Sequence, residues 1–157
     1  LVAENLAEGV PQVLEQAKAM DTKEVSITSL TVGDKTYTEN VLGKWNSDEF
    51  QKGELKNSDE TGIYQGIVTL EEPLEGQKAI LTMSEVYTAA DVLVNGQEMG
   101  AVLYAPYELE ITDALQQGEN TIEIQVTPRK YNAVHTDAEL ETLVDTGLAG
   151  NVAVELR

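Results

Sequence analysis

The sequence contains no cysteine. That excludes a disulfide scaffold, a thiolate metal site and a cysteine nucleophile, and it leaves the redox compartment open. Histidine occurs once, as His135. One imidazole cannot form a histidine metal cluster. With no serine in a nucleophile-elbow setting, a Ser–His–Asp triad has no support either. Basic residues are also scarce: 10 Lys and Arg stand against 28 Asp and Glu, a formal charge of −18. Such a surface repels phosphate backbones and anionic lipid, which argues against nucleic acid and membrane as partners. No apolar run approaches the roughly 18 residues of a membrane-spanning helix. Aromatic residues are few, with one Trp, one Phe and six Tyr.

The 157 residues suit one domain with its own core. Only the first 20 residues read as helical. Pro11 fits a first helical position, and Val10, Val13, Leu14 and Ala17 then share a face. Residues 1–23 are therefore expected to be a short helical lead-in, and residues 24–157 a β domain. The chain opens on Leu1 with no basic-then-apolar leader, which reads as a fragment or as a mature chain.

From Glu24 onward the pattern is β. VSITSLTV and TYTENV flank Gly33-Asp34-Lys35 as a hairpin, and IYQGIVTL and KAILTMSEV are strands. In AADVLVNG, Val92 and Val94 point one way and Leu93 the other, and Asn95-Gly96 supplies the two positive φ angles of a type I′ turn. Gly100 suits a bulge or a close backbone approach. Thr112 or Asp113 is placed to cap a helical turn over ALQQ, with Gly118 as its left-handed C-cap. NTIEIQVT alternates with Ile122, Ile124 and Val126 inward, and NVAVELR closes the chain. Seven to nine short strands separated by frequent turns indicate an all-β fold, an antiparallel β-sandwich.

Candidates for chemistry are few. No carboxylate pair stands out as catalytic, and Glu108 and Glu110 read as a solvated strand face. The segment NSDE occurs twice, at 46–49 and 57–60, where carboxylates and carbonyls in loops suit a structural calcium. The alternative is a pair of solvated loops. A sugar site would want an exposed ring flanked by amides and carboxylates. Trp45 beside Asn46 and Asp48, with Tyr104 as a second ring, are the candidate ligand-binding residues. The alternative reading is that Trp45 is the sandwich's large core or edge residue, because aromatics carry most of the burial.

The run AADVLVNGQEMGAVLYAPYELEITDALQQGENTIEIQVT resembles the sugar-binding-type sandwich of family-2 glycoside hydrolases and the related C-terminal module of α-L-rhamnosidase-like enzymes. The matching positions are Ala90 to Gly96, Gly100, Pro106-Tyr107, Ile111-Thr112-Asp113, Leu115, and Gly118-Glu119-Asn120 through Val126. Trp45 and TGIYQGIVTL are similar to the family's tryptophan and its glycine–tyrosine strand opening, and TGLAGNVAVEL to its closing strand. The likeness covers about residues 25–157. It implies a galactose-binding-like jelly roll within a larger glycosidase that is extracellular, periplasmic or at the cell surface. The catalytic carboxylates of such enzymes lie in another domain.

The expected role is thus a non-catalytic, carbohydrate-binding-like accessory module with no cofactor. Its partners would be carbohydrate and the neighbouring catalytic domain. The alternative is a structural or interaction sandwich without a sugar ligand, whose mark would be an exposed apolar patch with Leu93 and Val102-Leu103 as candidates. PRKYNAVHTDAELETLVD is polar and acidic where the rhamnosidase relatives carry Trp- and Arg-rich text, so contacts inherited through that segment are not carried over.

Overall fold

Side chains alternate across a strand, so a segment with apolar residues at every second position can bury one face and wet the other. That pattern builds the whole molecule. The structure, a computed structural model, describes residues 22–87, 89–128 and 145–157. The N-terminal helix and His135 lie outside the described residues. Thr22 and Lys23, expected at the end of the lead-in, open the first strand.

Eleven strands are formed among the described residues: β1 (Thr22–Glu24), β2 (Ser26–Val32), β3 (Lys35–Tyr37), β4 (Gly43–Lys44), β5 (Gly62–Leu70), β6 (Ala79–Tyr87), β7 (Ala89–Val94), β8 (Gln97–Val102), β9 (Glu108–Glu110), β10 (Gly118–Thr127) and β11 (Gly147–Leu156). They make two sheets. One runs β1-β11-β6-β9, with β4 also paired to β11; the other runs β3-β2-β5-β10-β7-β8. Every pairing is antiparallel. The result is the antiparallel sandwich read from the sequence.

The core lies between the sheets. Leu30, Tyr64, Val68, Val92, Val94, Ile122, Ile124 and Val126 face Leu81, Met83, Val86, Leu148, Val152 and Val154 across it. Leu93, Glu123 and Gln125 lie on the opposite face of their strands and are half-buried. Asn95 (φ 51°) and Gly96 (φ 82°) make the expected tight turn between β7 and β8. The expected bulge is also there: Val92 pairs with Gly100 and Leu93 with Glu98, which leaves Met99 as the extra residue.

One local expectation is corrected. The helical turn is a single 3-10 turn at Thr112–Ala114, earlier than ALQQ, and it has no side-chain cap. Thr112 is used elsewhere: its hydroxyl accepts the Ala79 N–H at 2.9 Å, which fastens the turn to β6. Gly118 (φ 96°) opens β10 instead of closing a helix.

Candidate functional site

The chain between β3 and β5 is mostly loop, and it holds three of the four predicted ligand residues. Trp45 turns inward and is 0% exposed. Its indole N–H donates to the Tyr64 hydroxyl at 2.8 Å, and the same oxygen accepts the Leu148 N–H at 3.1 Å. Burial pushes the Tyr64 phenol up to about 12, against the pull of those two donors, which favour the anion. The ring is closed in by glycines. A Cβ at Gly62 would meet the indole at 2.4 Å, and one at Gly147 at 2.5 Å. Trp45 is therefore a core residue and presents no face on which a sugar could stack, which corrects the expectation of an open platform.

Asn46 donates its amide to Asp145 at 3.1 Å, and Asp48 is paired with Lys56 at 3.0 Å. Tyr104 is 77% exposed beside Leu103 at 61%, on the connection between β8 and β9. That connection is remote from Trp45 in the sheet. β4 joins β11 at Gly147 and Leu148, whose partners on β6 are Tyr87 and Val86. β9 joins β6 on its other side and at its other end, along Ile80–Thr82. The structure thus groups Trp45, Asn46 and Asp48 and separates Tyr104 from them. Of the residues expected in an apolar patch, Val102 is core and Leu93 is half-buried, so only Leu103 is well exposed.

The two NSDE segments form the same small turn. Ser47 accepts the Glu49 N–H at 3.1 Å, and Ser58 accepts the Glu60 N–H at 3.2 Å. Their acids do not converge. Asn46 Oδ1 and Thr146 Oγ1 are enclosed without a partner, but the nearby Asp145 is held by the Lys44 ammonium at 3.5 Å, which opposes a cation there. Among the described residues no group of three or more His, Asp or Glu is placed to hold a metal. The calcium expectation therefore finds no fitting donor set.

The sequence reading missed a cleft of about 610 Å³ in the same loop, between residues 39–44 and 47–52. Phe50 anchors one wall. Its ring lies against Gly43, where a Cβ would come within 2.5 Å. Gln51 ties the walls together, its amide donating to the carbonyl oxygens of Glu39 (2.7 Å) and Asn40 (2.9 Å). Asn40 (φ 50°), Gln51 (φ 48°) and Lys52 (φ 58°) all hold left-handed backbone. Only Asn40 could have hinted at this in the sequence, because Asn tolerates that region while Gln and Lys give no signal. Nearby, Glu54 accepts from Lys35 at 3.2 Å and from Tyr37 at 3.1 Å. These bonds, Lys35 first, hold its carboxyl below the usual range. Lys44 is raised by Asp145 and then by Tyr87, whose ring centroid is 5.4 Å from the ammonium.

Residues 23–154 match the family described as glycosyl hydrolase 2 galactose-binding domain-like. A relative from Formosa agariphila is 33% identical over 63 residues, which is 40% of this chain and 5% of that protein. A rhamnosidase from Novosphingobium sp. PP1Y superposes with a TM-score of 0.68 at 22% identity, over 87% of this chain and 14% of the enzyme. A glycosyl hydrolase family 2 member from Bacteroides cellulosilyticus DSM 14838 gives 0.60 at 15% identity, over 85% of this chain and 20% of that one. These two are likenesses of fold. In each case the chain corresponds to a small part of a much larger protein.

Proposed function

The chain belongs to the glycosyl hydrolase 2 galactose-binding domain-like family, and from that premise we propose that it is a non-catalytic accessory module that holds carbohydrate for a larger glycoside hydrolase. The observation that carries this reading is the family match over residues 23–154, set beside relatives several times longer. The described residues support it by what they use their acids for. Asp48, Glu54, Glu108, Asp145 and Glu155 are engaged in surface ion pairs. On this reading the hydrolytic carboxylates belong to another domain.

Applying the purified chain to a glycan array and to a set of aryl glycosides tests the proposal. Retention of glycans with no release of aglycone is the expected result. Hydrolysis by the chain alone would overturn the non-catalytic role. A second reading rests on Leu103 and Tyr104: two adjacent large apolar side chains left 61% and 77% exposed form a surface that another domain of the same enzyme would cover. An array without any retained glycan favours that reading.

A further inference from the structure

We infer that the cleft between residues 39–44 and 47–52 is a binding site for a neutral saccharide. This deepens the accessory-module reading and rests on it. Size separates this cleft from the other concavities described. Its 610 Å³ lies within the roughly 300–1,000 Å³ of small-molecule sites. The concavity under Tyr104 (220 Å³) and the one beside Leu70 and Pro73 (260 Å³) both fall short of that range.

The cleft is also costly to build. Three of the five non-glycine residues with positive φ among the described residues line it. Each such residue is strained and persists only where its surroundings impose it. Here the two Gln51 hydrogen bonds and the seating of Phe50 on Gly43 impose it. A surface loop with no task gains nothing from that arrangement.

The lining selects the ligand by its charge balance and by its free hydrogen-bonding groups. Glu39 and Glu49 stand against Lys44 and Lys52, so the formal charges cancel on a molecule that carries −18 overall. An anion is opposed by the two carboxylates and by the overall charge, and a cation by the Lys52 ammonium. Lys44 is already turned to Asp145. The side chains of Glu39, Glu49 and Lys52 hold no hydrogen-bond partner among the described residues. Two acceptors and one donor of that kind match vicinal hydroxyls, which give protons to carboxylates and accept one from an ammonium. Leu42, half-buried, and the rim of Phe50 supply the apolar contact that the C–H face of a pyranose requires.

The test uses the whole chain labelled with ¹⁵N, titrated with lactose, cellobiose and mannobiose, and with glucuronate and glucosamine as charged counterparts. At least one neutral disaccharide is expected to shift the amides of residues 39–44 and 47–52. Glu49→Gln and Lys52→Ala are each expected to weaken that binding at least tenfold, while Asp59→Asn changes it less than twofold. Thermal melts of every variant separate lost contacts from lost folding. Binding that survives both substitutions, or shifts mapped elsewhere, overturns the cleft as the site and leaves the accessory role standing. Tighter binding of either charged sugar overturns the neutral class. No binding by any probe overturns the cleft as a neutral-saccharide site, while retention on the glycan array decides the carbohydrate-holding role separately.

Discussion

Trp45 and Tyr64 show how a residue type can be legible while its role is not. A lone Trp in a polar loop is equally suited to stack on a ligand or to fill a core. What decides is space supplied from elsewhere in the chain, by Gly62 and Gly147, and nothing local to Trp45 announces those glycines as its neighbours. The cost of filling that space is measurable. Gly62→Ala places a methyl group 2.4 Å from the indole and is expected to cost about 1–3 kcal/mol, as overpacking of a tight core does. Gly147→Ala adds a left-handed φ of 104° to the same clash and should cost more. Gly76→Ala has the strain without the clash, since nothing lies within 4 Å, and should cost only about 1 kcal/mol. Urea midpoints of the three variants give the order, and equal shifts would refute it. Tyr64 makes a separate prediction in alkali. Its phenol is raised to about 12 in the fold and titrates near 10 when unfolded. The neutral form is thus the one the fold favours. The stability it contributes is whole below about pH 10 and is lost as pH rises toward 12, by about 2–3 kcal/mol. Tyr64→Phe should be weaker at pH 8, because two buried N–H groups lose their acceptor, yet show a flatter decline from pH 10 to 12. Parallel declines in the two proteins would exclude Tyr64 as the source.

The strands were readable because a period of two leaves little freedom: a one-residue slip in β10 would put Ile122, Ile124 and Val126 into water. Turns with chemical necessity were readable as well, and Asn95-Gly96 is the clearest. Less visible was what else Asn95 does. Its amide donates to Asn120 Oδ1 and to the Ala114 carbonyl, both at 2.8 Å, while its own oxygen accepts the Thr121 N–H at 2.9 Å. Asn120, 0% exposed, accepts from Gln116 N–H at 2.8 Å and donates to the Gln116 and Gly118 carbonyls at 2.9 and 3.1 Å. The two asparagines therefore lock the β7–β8 turn to the start of β10. This also explains why the 3-10 turn ends early: Leu115 is extended, and the N–H of the next residue, Gln116, is bonded to Asn120. Asn120→Ala should cost about 2–3 kcal/mol, since partners inside the fold are left unpaired. Asn95→Gly keeps the turn conformation and isolates the side chain. A double-mutant cycle on these two changes should give a coupling of about 1 kcal/mol, and additivity within about 0.3 kcal/mol would show that the bond is incidental. The cleft was invisible for the opposite reason. Its backbone is held by Gln51 bonding to a segment 11 and 12 residues away, at positions where the residue type predicts ordinary φ.

The molecule as a whole was the most legible of all, because composition bounds it: no cysteine, no membrane-length run and apolar residues at alternate positions leave a sandwich with one interior. Which strands neighbour which was not legible. β10 sits between β5 and β7, and β11 between β1 and β6, pairings that join segments far apart in sequence. The excess of 18 negative charges has its own consequence for stability. Lys35–Glu54, Lys44–Asp145, Lys56–Asp48 and Arg157 with Glu108 and Glu155 all join partly exposed groups. Pairs of this kind contribute about 0–1 kcal/mol each and weaken with salt. Against them stands the mutual repulsion of the unpaired carboxylates, which acts over longer distances. The screening length falls from about 30 Å at 0.01 M salt to about 3 Å at 1 M, so long-range repulsion is the first term to vanish. Salt therefore removes more repulsion than attraction. Raising NaCl from about 10 mM to about 0.5 M should lift Tm by at least about 3 °C, corresponding to roughly 1 kcal/mol for a chain of this size. Calorimetry across that series, with Na₂SO₄ omitted so that surface exclusion does not mimic screening, reads the sign directly. A falling Tm would mean that the few ion pairs outweigh the excess charge, and that the acidic surface is organised around specific partners within the fold.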